Sequence, residues 1–354
     1  VAVMVYYPLR LLLLLLIILQ SSTLSMSSPS CPAATTLPLP NGALPTVGLG
    51  CWKLANPEAI VSKAIEKGWR HIDSACDYGN EVEVGKGIKK GLEAAGVKRS
   101  DLFVTSKLWN TYHRPEHVEA ACRKTLADLG LDYLDLYLIH FPIPLKFVPF
   151  ETRYPPEWTH DPSGENVMVP DPVSISETWS AMESLVEKGL VKDIGVANFN
   201  AALILELLKK SKIKPAVNQI ELHPHLSQDR LVEFCKAKGI AVTGFSPLGS
   251  GSYIELGMDN GQGVGLLKDP AVLSIAAKHS KSPAQILLRW GVERGNAIIP
   301  KTSSEGRLEE NINIFDFELD EKDMEEMAKL NRNMRYNDPG VFCKGMGGDY
   351  PIWD

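Results

Sequence analysis

Four side chains that can donate, accept or stabilise a proton follow apolar segments of the sequence. Asp73, Lys107 and His140 each end a short run typical of a buried strand, and Tyr78 comes five residues after Asp73. These residue types suit proton donation to a carbonyl oxygen, with the tyrosine hydroxyl as the donor. The imidazole would donate a hydrogen bond that orients the carbonyl and stabilises the negative charge developing on its oxygen.

This chemistry requires the tyrosine to be tuned by its neighbours. A free tyrosine, with a pKa of about 10, is a poor acid at neutral pH, and an adjacent ammonium lowers that value by stabilising the phenolate. We therefore expect Lys107 to lower the pKa of Tyr78, and Asp73 to hold the lysine in place and keep it charged. Taken singly, each residue also has a structural interpretation: Asp73 as a loop cap, Tyr78 as a packed aromatic and Lys107 as a solvated charge.

The segments around these residues alternate between two hydrophobic patterns. Runs that read as buried strands are Thr46–Leu49, Arg70–Asp73, Leu102–Lys107, Leu134–His140, Asp193–Ala197, Ala216–Glu221, Ala241–Phe245 and Ala297–Pro300. Amphipathic stretches between them include Pro57–Lys67, Pro115–Leu129, Ile175–Lys188, Ala201–Lys210, Ser227–Lys238 and Pro283–Glu293. This alternation predicts an α/β fold, a single (β/α)₈ barrel whose strand ends share one mouth. A doubly wound parallel sheet is the alternative that the pattern leaves open.

Glycine-containing motifs refine this prediction. Asn41-Gly42 between apolar residues predicts a β-hairpin before the barrel. The GxG sequences that begin at Gly48 and Gly261 lack the third glycine of a dinucleotide-binding fingerprint. No P-loop or HExxH motif is present, and we expect no metal site. A nicotinamide cofactor, if the protein uses one, must be held by other residues.

Composition excludes several classes of protein. The 354 residues are 44% hydrophobic and 23% charged, which is typical of a globular protein and not of a disordered or fibrous one. The net charge of −6 argues against nucleic acid as a partner, because phosphate backbones require a basic face. It leaves room for a local basic pocket that binds a phosphorylated cofactor.

The first 36 residues differ from the rest of the chain. Arg10 precedes nine consecutive Leu and Ile residues, and a stretch rich in Ser, Thr and Pro follows, which is typical of a targeting leader. A membrane anchor and an artefact of the chain start are the alternatives. The six scattered cysteines favour reduced, buried thiols and a cytosolic protein, whereas the leader favours the secretory pathway or an organelle. We predict a leader over residues 1–36 and a barrel over residues 37–354.

Three irregular stretches lie where they would overhang the predicted mouth. Residues 141–172 are rich in proline and aromatic residues, residues 250–269 are rich in glycine, and residues 335–354 form the C-terminal tail. Loops of this length are usually lids or binding loops. A disordered insertion is the alternative for the first two.

Several blocks of this chain are similar in order and spacing to those of the aldo-keto reductases, a family of (β/α)₈ NAD(P)H-dependent carbonyl reductases. The blocks are GLGCWKL (48–54), HIDSACDYGNEVEVG (71–85), TSKLWN (105–110), LDYLDLYLIHFPI (131–143), KPAVNQIELHP (214–224) and IPKTSSEGRLEEN (299–311). The resemblance extends from about residue 37 to the end of the chain. It implies that Asp73, Tyr78, Lys107 and His140 form a catalytic tetrad with Tyr78 as the proton donor.

The resemblance also implies a cofactor site. Asn198 and Gln219 would hold the nicotinamide carboxamide, and Phe245 would stack on the ring. The remaining positions would bind the pyrophosphate, the adenosine 2′-phosphate and the adenine: Ser246, Leu248, Ser250, Lys301, Thr302, Ser303, Arg307, Glu310 and Asn311. A helix that starts near Ser303, flanked by a lysine and an arginine, suits a phosphate dianion on physical grounds as well. We expect NADPH as the preferred cofactor, with NADH also accepted.

Within the family, the segments after His140 and around Asn337 look most like those of D-xylose reductases. This likeness implies reduction of the open-chain aldehyde of an aldose to its polyol. Trp52 and Phe141 would form apolar walls, and His140 and Asn337 would contact the substrate. Hexose-6-phosphate reductases share much of the pattern, and their substrate would need a further cation, for which Lys146 and Arg153 are the candidates.

Other functions are compatible with the same fold. A non-catalytic NADPH-binding sensor or structural protein would bind the cofactor without turnover, and a barrel aldolase or isomerase would need no nicotinamide. The predicted partner is a small-molecule aldehyde, with neither nucleic acid nor, once the leader is removed, a membrane. We expect a monomer or a homodimer.

Overall fold

The computed structural model describes residues 35–160, 167–249, 251, 253 and 265–353. The proposed leader up to residue 34 therefore lies outside the described residues, as do Ser250, Cys31 and most of the glycine-rich stretch. Thr36, which the sequence analysis assigned to the leader, already lies in the first strand. Among the described residues, no helix is both long enough and apolar enough to cross a membrane.

The described part of the chain begins with the predicted hairpin. Strands β1 (Thr36–Leu39) and β2 (Gly42–Pro45) pair antiparallel, and Leu39 lies opposite Gly42. The two turn residues are therefore Pro40 and Asn41, one position earlier than the Asn-Gly motif suggested. The Asn41 side chain explains this shift, because its Nδ2 donates to the carbonyl of Lys192 at 2.9 Å.

Eight parallel strands follow and form one sheet in sequential order. They are β3 (Leu49–Gly50), β4 (His71–Asp73), β5 (Phe103–Leu108), β6 (Leu134–Ile139), β7 (Val191–Ala197), β8 (Val217–Glu221), β9 (Ala241–Phe245) and β10 (Ala297–Ile298). The sheet closes because Gly48 N donates to Ile298 O, and Ile298 N to Thr46 O, both at 2.8 Å. A side chain at Gly50 would lie 2.8 Å from the carbonyl oxygen of Ile299, so glycine allows the first and last strands to approach. Closure confirms the barrel and excludes the doubly wound sheet.

Among the described residues, eight α-helices connect successive strands of the barrel and three more follow the last strand. They are α1 (Pro57–Glu66), α2 (Glu81–Ala95), α3 (Pro115–Leu129), α4 (Ile175–Glu187), α5 (Ala201–Lys210), α6 (Asp229–Ala237), α7 (Pro270–His279), α8 (Pro283–Glu293), α9 (Glu305–Ile312), α10 (Glu321–Ala328) and α11 (Pro339–Phe342). The sequence marks their ends locally. Asn200 caps α5 by accepting from Leu203 N at 3.0 Å, and Gly189, two residues after α4, adopts a positive φ of 69°.

The two ends of the barrel differ in chemistry. Leu44 of the hairpin is fully buried, and it packs with Phe103, Leu136 and Val217 at the amino ends of the strands. Asp135 and Asp193 are also buried near this end, where they contact Lys192 and Asn41. The side chains predicted to carry the chemistry lie at the opposite end, where the strands terminate and the connecting loops begin.

Candidate active site

The four predicted proton-handling residues come together at the carboxyl-end mouth of the barrel. Asp73 is the last residue of β4, Lys107 lies next to the end of β5, and His140 directly follows β6. Tyr78 ends a short 3₁₀ turn, Cys76–Tyr78, that follows β4. Neighbouring parallel strands end side by side, so residues far apart in sequence meet at one place.

Lys107 is the centre of this cluster. Its ammonium is fully buried and lies 2.6 Å from Asp73 Oδ1, 2.7 Å from the carbonyl oxygen of Ser74 and 3.2 Å from Tyr78 Oη. A lysine ammonium has three protons, so each has an acceptor. The other carboxylate oxygen of Asp73 accepts from Gln219 Nε2 at 2.7 Å. The lysine is thus fixed in position with one donor directed at the tyrosine hydroxyl.

The predicted direction of the Tyr78 pKa shift is wrong. Burial raises the pKa of Tyr78 well above its ordinary value, and the negative charge of Asp73 raises it further. Desolvation of a phenolate inside the mouth outweighs the stabilisation expected from Lys107. Tyr78 is therefore protonated throughout the neutral range.

His140 is neutral in the same range. Burial lowers its pKa well below the ordinary value, and the positive charge of Lys107 lowers it further. Its ring lies edge-on to that of Tyr78, with centroids 5.9 Å apart. Nδ1 is buried and has no hydrogen-bond partner among the described residues, so Nε2 is the nitrogen available to a ligand.

Residues assigned to the nicotinamide line the same cavity, whose volume is about 510 Å³. Asn198 adopts a positive φ of 62°, and its Nδ2 donates to the carbonyl of His140 at 2.9 Å. Its Oδ1 is buried and has no partner in the part of the chain that the structure describes. Gln219, Phe245, Ser246 and Leu248 also line the cavity. A buried amide oxygen that lacks a donor fits a ligand that carries an amide N–H.

The residues assigned to the 2′-phosphate lie at the far end of the cavity. Lys301 and Arg307 are exposed, line the cavity, and form no ion pair within the described part of the chain. Thr302 Oγ1 accepts from Ser304 N at 3.1 Å, and Ser303 Oγ accepts from Ala55 N at 3.0 Å. Within the described residues, Lys301 precedes α9 and Arg307 lies in its first turn, and two unpaired cations at a helix N-terminus suit a phosphate dianion.

The two assigned adenine positions do not line the cavity. The backbone carbonyl of Glu310 accepts from Gln285 Nε2 at 3.2 Å, and Asn311 is buried. Both lie on α9, behind Lys301 and Arg307.

Aromatic side chains form one wall of the mouth. Trp52 and Phe141, which were predicted to form apolar walls, both line the cavity. Trp109, Trp158 and Phe342 line it as well and were not predicted from the sequence. Trp158 contacts all three neighbouring rings, with centroids 4.8 Å from Trp109, 5.1 Å from Phe141 and 5.3 Å from Phe342. The long loop and the C-terminal tail supply Trp158 and Phe342, so both stretches fold over the mouth as predicted.

Polar groups line other parts of the mouth. Asn337 Nδ2 lies 3.4 Å from Tyr253 Oη, and Asn337 Oδ1 is buried with no partner within the described ranges. Asp77, which the sequence analysis did not single out, also lines the cavity. Burial raises the pKa of Asp77 to about 7, and the charge of Glu157 raises it further. Its position directly before Tyr78 was a signal that could have identified it.

The two candidates for a sugar-phosphate site do not line the cavity. Lys146 is exposed on the long loop. The Arg153 guanidinium is used within that loop, where it donates to the carbonyls of Pro156 and Thr159. Among the described residues, the only lysine and arginine at the cavity are therefore Lys301 and Arg307.

Comparison with known proteins agrees with this geometry. Residues 46–332 match the model of the aldo/keto reductase family. The chain is 50% identical over 302 residues to an NAD(P)H-dependent D-xylose reductase of Pachysolen tannophilus, covering 85% of this chain and 94% of that protein. A reductase of the same name from Scheffersomyces stipitis is 49% identical, over 84% of this chain and 93% of its own.

A solved structure supports the same assignment. The aldose reductase from Schistosoma japonicum superposes with a TM-score of 0.78 at 40% identity, covering 90% of this chain and 98% of that one. The match to the family model, which spans most of the barrel, identifies this chain as a member of the aldo/keto reductase family.

Proposed function

We propose that this protein reduces the open-chain aldehyde of a pentose-like sugar to its polyol, with NADPH as the preferred reductant. The observation that carries the proposal is the Tyr78 hydroxyl, 3.2 Å from the buried ammonium of Lys107 in a cavity shared with His140. The names of the two fungal relatives, both NAD(P)H-dependent D-xylose reductases, support the substrate class.

The residues divide the reaction between them. A bound nicotinamide supplies the hydride to the carbonyl carbon. Tyr78 donates its proton to the carbonyl oxygen, and its raised pKa does not prevent this, because an alkoxide is a stronger base than a phenolate. Lys107 stabilises the phenolate that remains, and Asp73 keeps the lysine charged and in place. Neutral His140 donates a hydrogen bond that orients the carbonyl oxygen.

The residues present fit the cofactor. Asn198 Oδ1, which has no partner among the described residues, would accept a hydrogen bond from the carboxamide, and Gln219 and Phe245 would complete that end. Ser246 and Leu248 would bind the pyrophosphate, together with Ser250, which lies outside the described residues. Lys301 and Arg307, with Thr302 and Ser303, would bind the 2′-phosphate. Glu310 and Asn311, assigned to the adenine, lie on α9 outside the lining of the cavity. Because this phosphate is the difference between NADPH and NADH, the two unpaired cations favour NADPH and still permit NADH.

The shape of the mouth favours an unphosphorylated sugar. Asp77 and Asn337 offer polar groups to hydroxyls, whereas Trp52 and Phe141 cover the carbon chain. A sugar phosphate would need a cation here, and Lys146 and Arg153 do not line the cavity. We further propose that the barrel acts on its small-molecule substrate as a monomer or a homodimer.

The test is the rate of NADPH oxidation with xylose, glucose 6-phosphate and glyceraldehyde, for the wild type and Tyr78→Phe. We expect xylose to be preferred over the sugar phosphate, and the variant to lose about a hundredfold or more in rate. Quenching of tryptophan fluorescence by NADPH serves as the control that the variant still binds cofactor. A variant rate within a few-fold of wild type contradicts the role of Tyr78. A wild type that binds NADPH without turnover supports the sensor or structural alternative.

A further inference from the structure

Glu221, the last residue of β8, is a fully buried carboxylate that binds the start of the C-terminal tail. Its Oε1 accepts from Tyr336 N at 2.9 Å and lies 2.8 Å from His223 Nε2. Its Oε2 accepts from Asn337 N at 2.8 Å. Each oxygen therefore accepts a backbone N–H from the tail, so the barrel strand fixes the tail where it crosses the mouth.

A second contact connects the same two segments. Gln228 Nε2 donates to the backbone carbonyl of Glu221 at 2.6 Å, and Gln228 Oε1 accepts from Arg335 Nη2 at 3.1 Å. Three consecutive tail residues, 335–337, are thus held directly or through Gln228 to the end of β8.

The side chain positioned by these contacts is that of Asn337. It lines the catalytic cavity, its Nδ2 lies 3.4 Å from Tyr253 Oη, and its Oδ1 has no partner among the residues described. A half-buried amide of this kind discriminates between substrates only if its backbone is fixed, because a small displacement would move it out of hydrogen-bond range.

We propose that Glu221 is a positioning residue for substrate specificity: by holding the backbone of Asn337, it sets the preference for hydroxylated over unhydroxylated aldehydes. This inference rests on the proposed function. Glu221 contacts neither Tyr78 nor Lys107, so it acts on recognition of the substrate hydroxyls and not on proton transfer.

The informative substitution is Glu221→Gln, which preserves size and shape. Because both carboxylate oxygens accept a backbone N–H, either orientation of the glutamine amide directs its NH₂ group at a donor. At least one of the two tail contacts is therefore lost. Glu183→Gln is the control for removing a buried carboxylate without losing a backbone contact. Glu183 Oε1 alone accepts from both Lys212 N at 2.6 Å and Ile213 N at 2.8 Å, so the amide oxygen of a glutamine can keep both bonds. Glu183 does not line the cavity.

The measurement is kcat/KM for xylose and for butyraldehyde, an aldehyde without hydroxyls. We expect Glu221→Gln to lower the xylose value about tenfold, which is the usual cost of losing a positioned hydrogen bond, mainly through KM. The butyraldehyde value and all values for Glu183→Gln should stay within about twofold of wild type. If Glu221 had only a structural role, Glu221→Gln would lower kcat/KM equally for both substrates.

A double-mutant cycle with Asn337→Ala tests whether the effect passes through Asn337. Once the alanine is present, Glu221→Gln should have no further effect on the xylose-to-butyraldehyde ratio. If the effects of the two substitutions on this ratio are additive, the inference is overturned. It is also overturned if the xylose-to-butyraldehyde ratio of kcat/KM for Glu221→Gln equals that of the wild type. If Glu221→Gln does not fold, Gln228→Ala removes the second contact and should shift the ratio in the same direction by a smaller factor. An unchanged ratio in that variant would also count against the inference.

The outcome for the wild type separates the two proposals. A wild type that does not prefer xylose to butyraldehyde contradicts the proposed sugar substrate. A wild type that does prefer xylose, together with a Glu221→Gln variant that keeps this preference, contradicts the role of Glu221 alone.

Discussion

The substitution Lys107→Met would test whether the lysine and Asp73 act as one unit. Both side chains are almost completely inaccessible to water and lie 2.6 Å apart. Methionine fills a similar volume and leaves the Asp73 carboxylate buried with one remaining side-chain donor, Gln219 Nε2 at 2.7 Å. Breaking one side of a buried ion pair typically costs about 3–5 kcal/mol, because it leaves an uncompensated charge. We expect Lys107→Met to lower the free energy of unfolding by about that amount.

Replacing both partners should separate stability from catalysis. In Asp73→Asn/Lys107→Met neither position carries a charge. Replacing both partners of a buried ion pair by uncharged residues often changes stability little. We expect the double variant to unfold within about 2 kcal/mol of the wild type. Aldehyde reduction should stay low in both variants, by a factor of about 10²–10⁴, because neither has an ammonium to stabilise the Tyr78 phenolate.

Urea unfolding followed by circular dichroism gives the free energies, and NADPH oxidation gives the rates. The reasoning is refuted if the single variant is as stable as the wild type, or if the double variant recovers activity together with stability. The first result would show that Asp73 does not need its partner. The second would show that the lysine charge takes no part in the reaction.

Two further changes test the cofactor site and the electrostatics around the mouth. Arg307→Gln should weaken NADPH binding about tenfold, because a hydrogen bond to a charged group contributes about 1.5–3 kcal/mol, and should leave the affinity for NADH unchanged. A fluorescence titration that shows equal loss of affinity for NADPH and NADH would contradict the phosphate site. Burial raises the pKa of Glu81 to about 7 from 4.5, so its contribution to stability is present below pH 4.5 and is lost as the pH rises through 7. The free energy of unfolding of Glu81→Gln should therefore rise by about 3 kcal/mol relative to that of the wild type between pH 4.5 and pH 8.5. A difference in unfolding free energy that stays constant across this range would exclude the effect.

Much of the fold could be predicted because its determinants are local. Strands and helices of a (β/α)₈ barrel carry distinct hydrophobic periods, and α3, α5 and α8 begin and end at the predicted residues. The hairpin turn shifted by one residue because the Asn41 side chain binds β7, a contact that no local pattern encodes. Closure of the sheet between β3 and β10 is also a long-range contact, but the count of eight strand–helix alternations indicated it.

The candidate site could be predicted only in part, for a related reason. Asp73, Lys107 and His140 mark strand ends, and a strand end is visible in a sequence. The direction of the Tyr78 pKa shift was predicted wrongly, because desolvation depends on what covers the residue. Trp158 and Phe342 cover the mouth from distant parts of the chain, and nothing in their immediate sequence showed that they meet.

Buried polar groups are tolerated at the mouth because they have hydrogen-bond partners. At the amino ends of the strands, Leu44 and its apolar neighbours pack together and need no such partners. At the carboxyl ends, the buried charges of Lys107 and Glu221 are each satisfied by several partners. These hydrogen bonds also fix the position of the side chain, because a lysine whose three ammonium protons are all donated cannot move without losing a hydrogen bond. The contacts that make these charges tolerable are therefore the same contacts that hold Tyr78 and Asn337 in place.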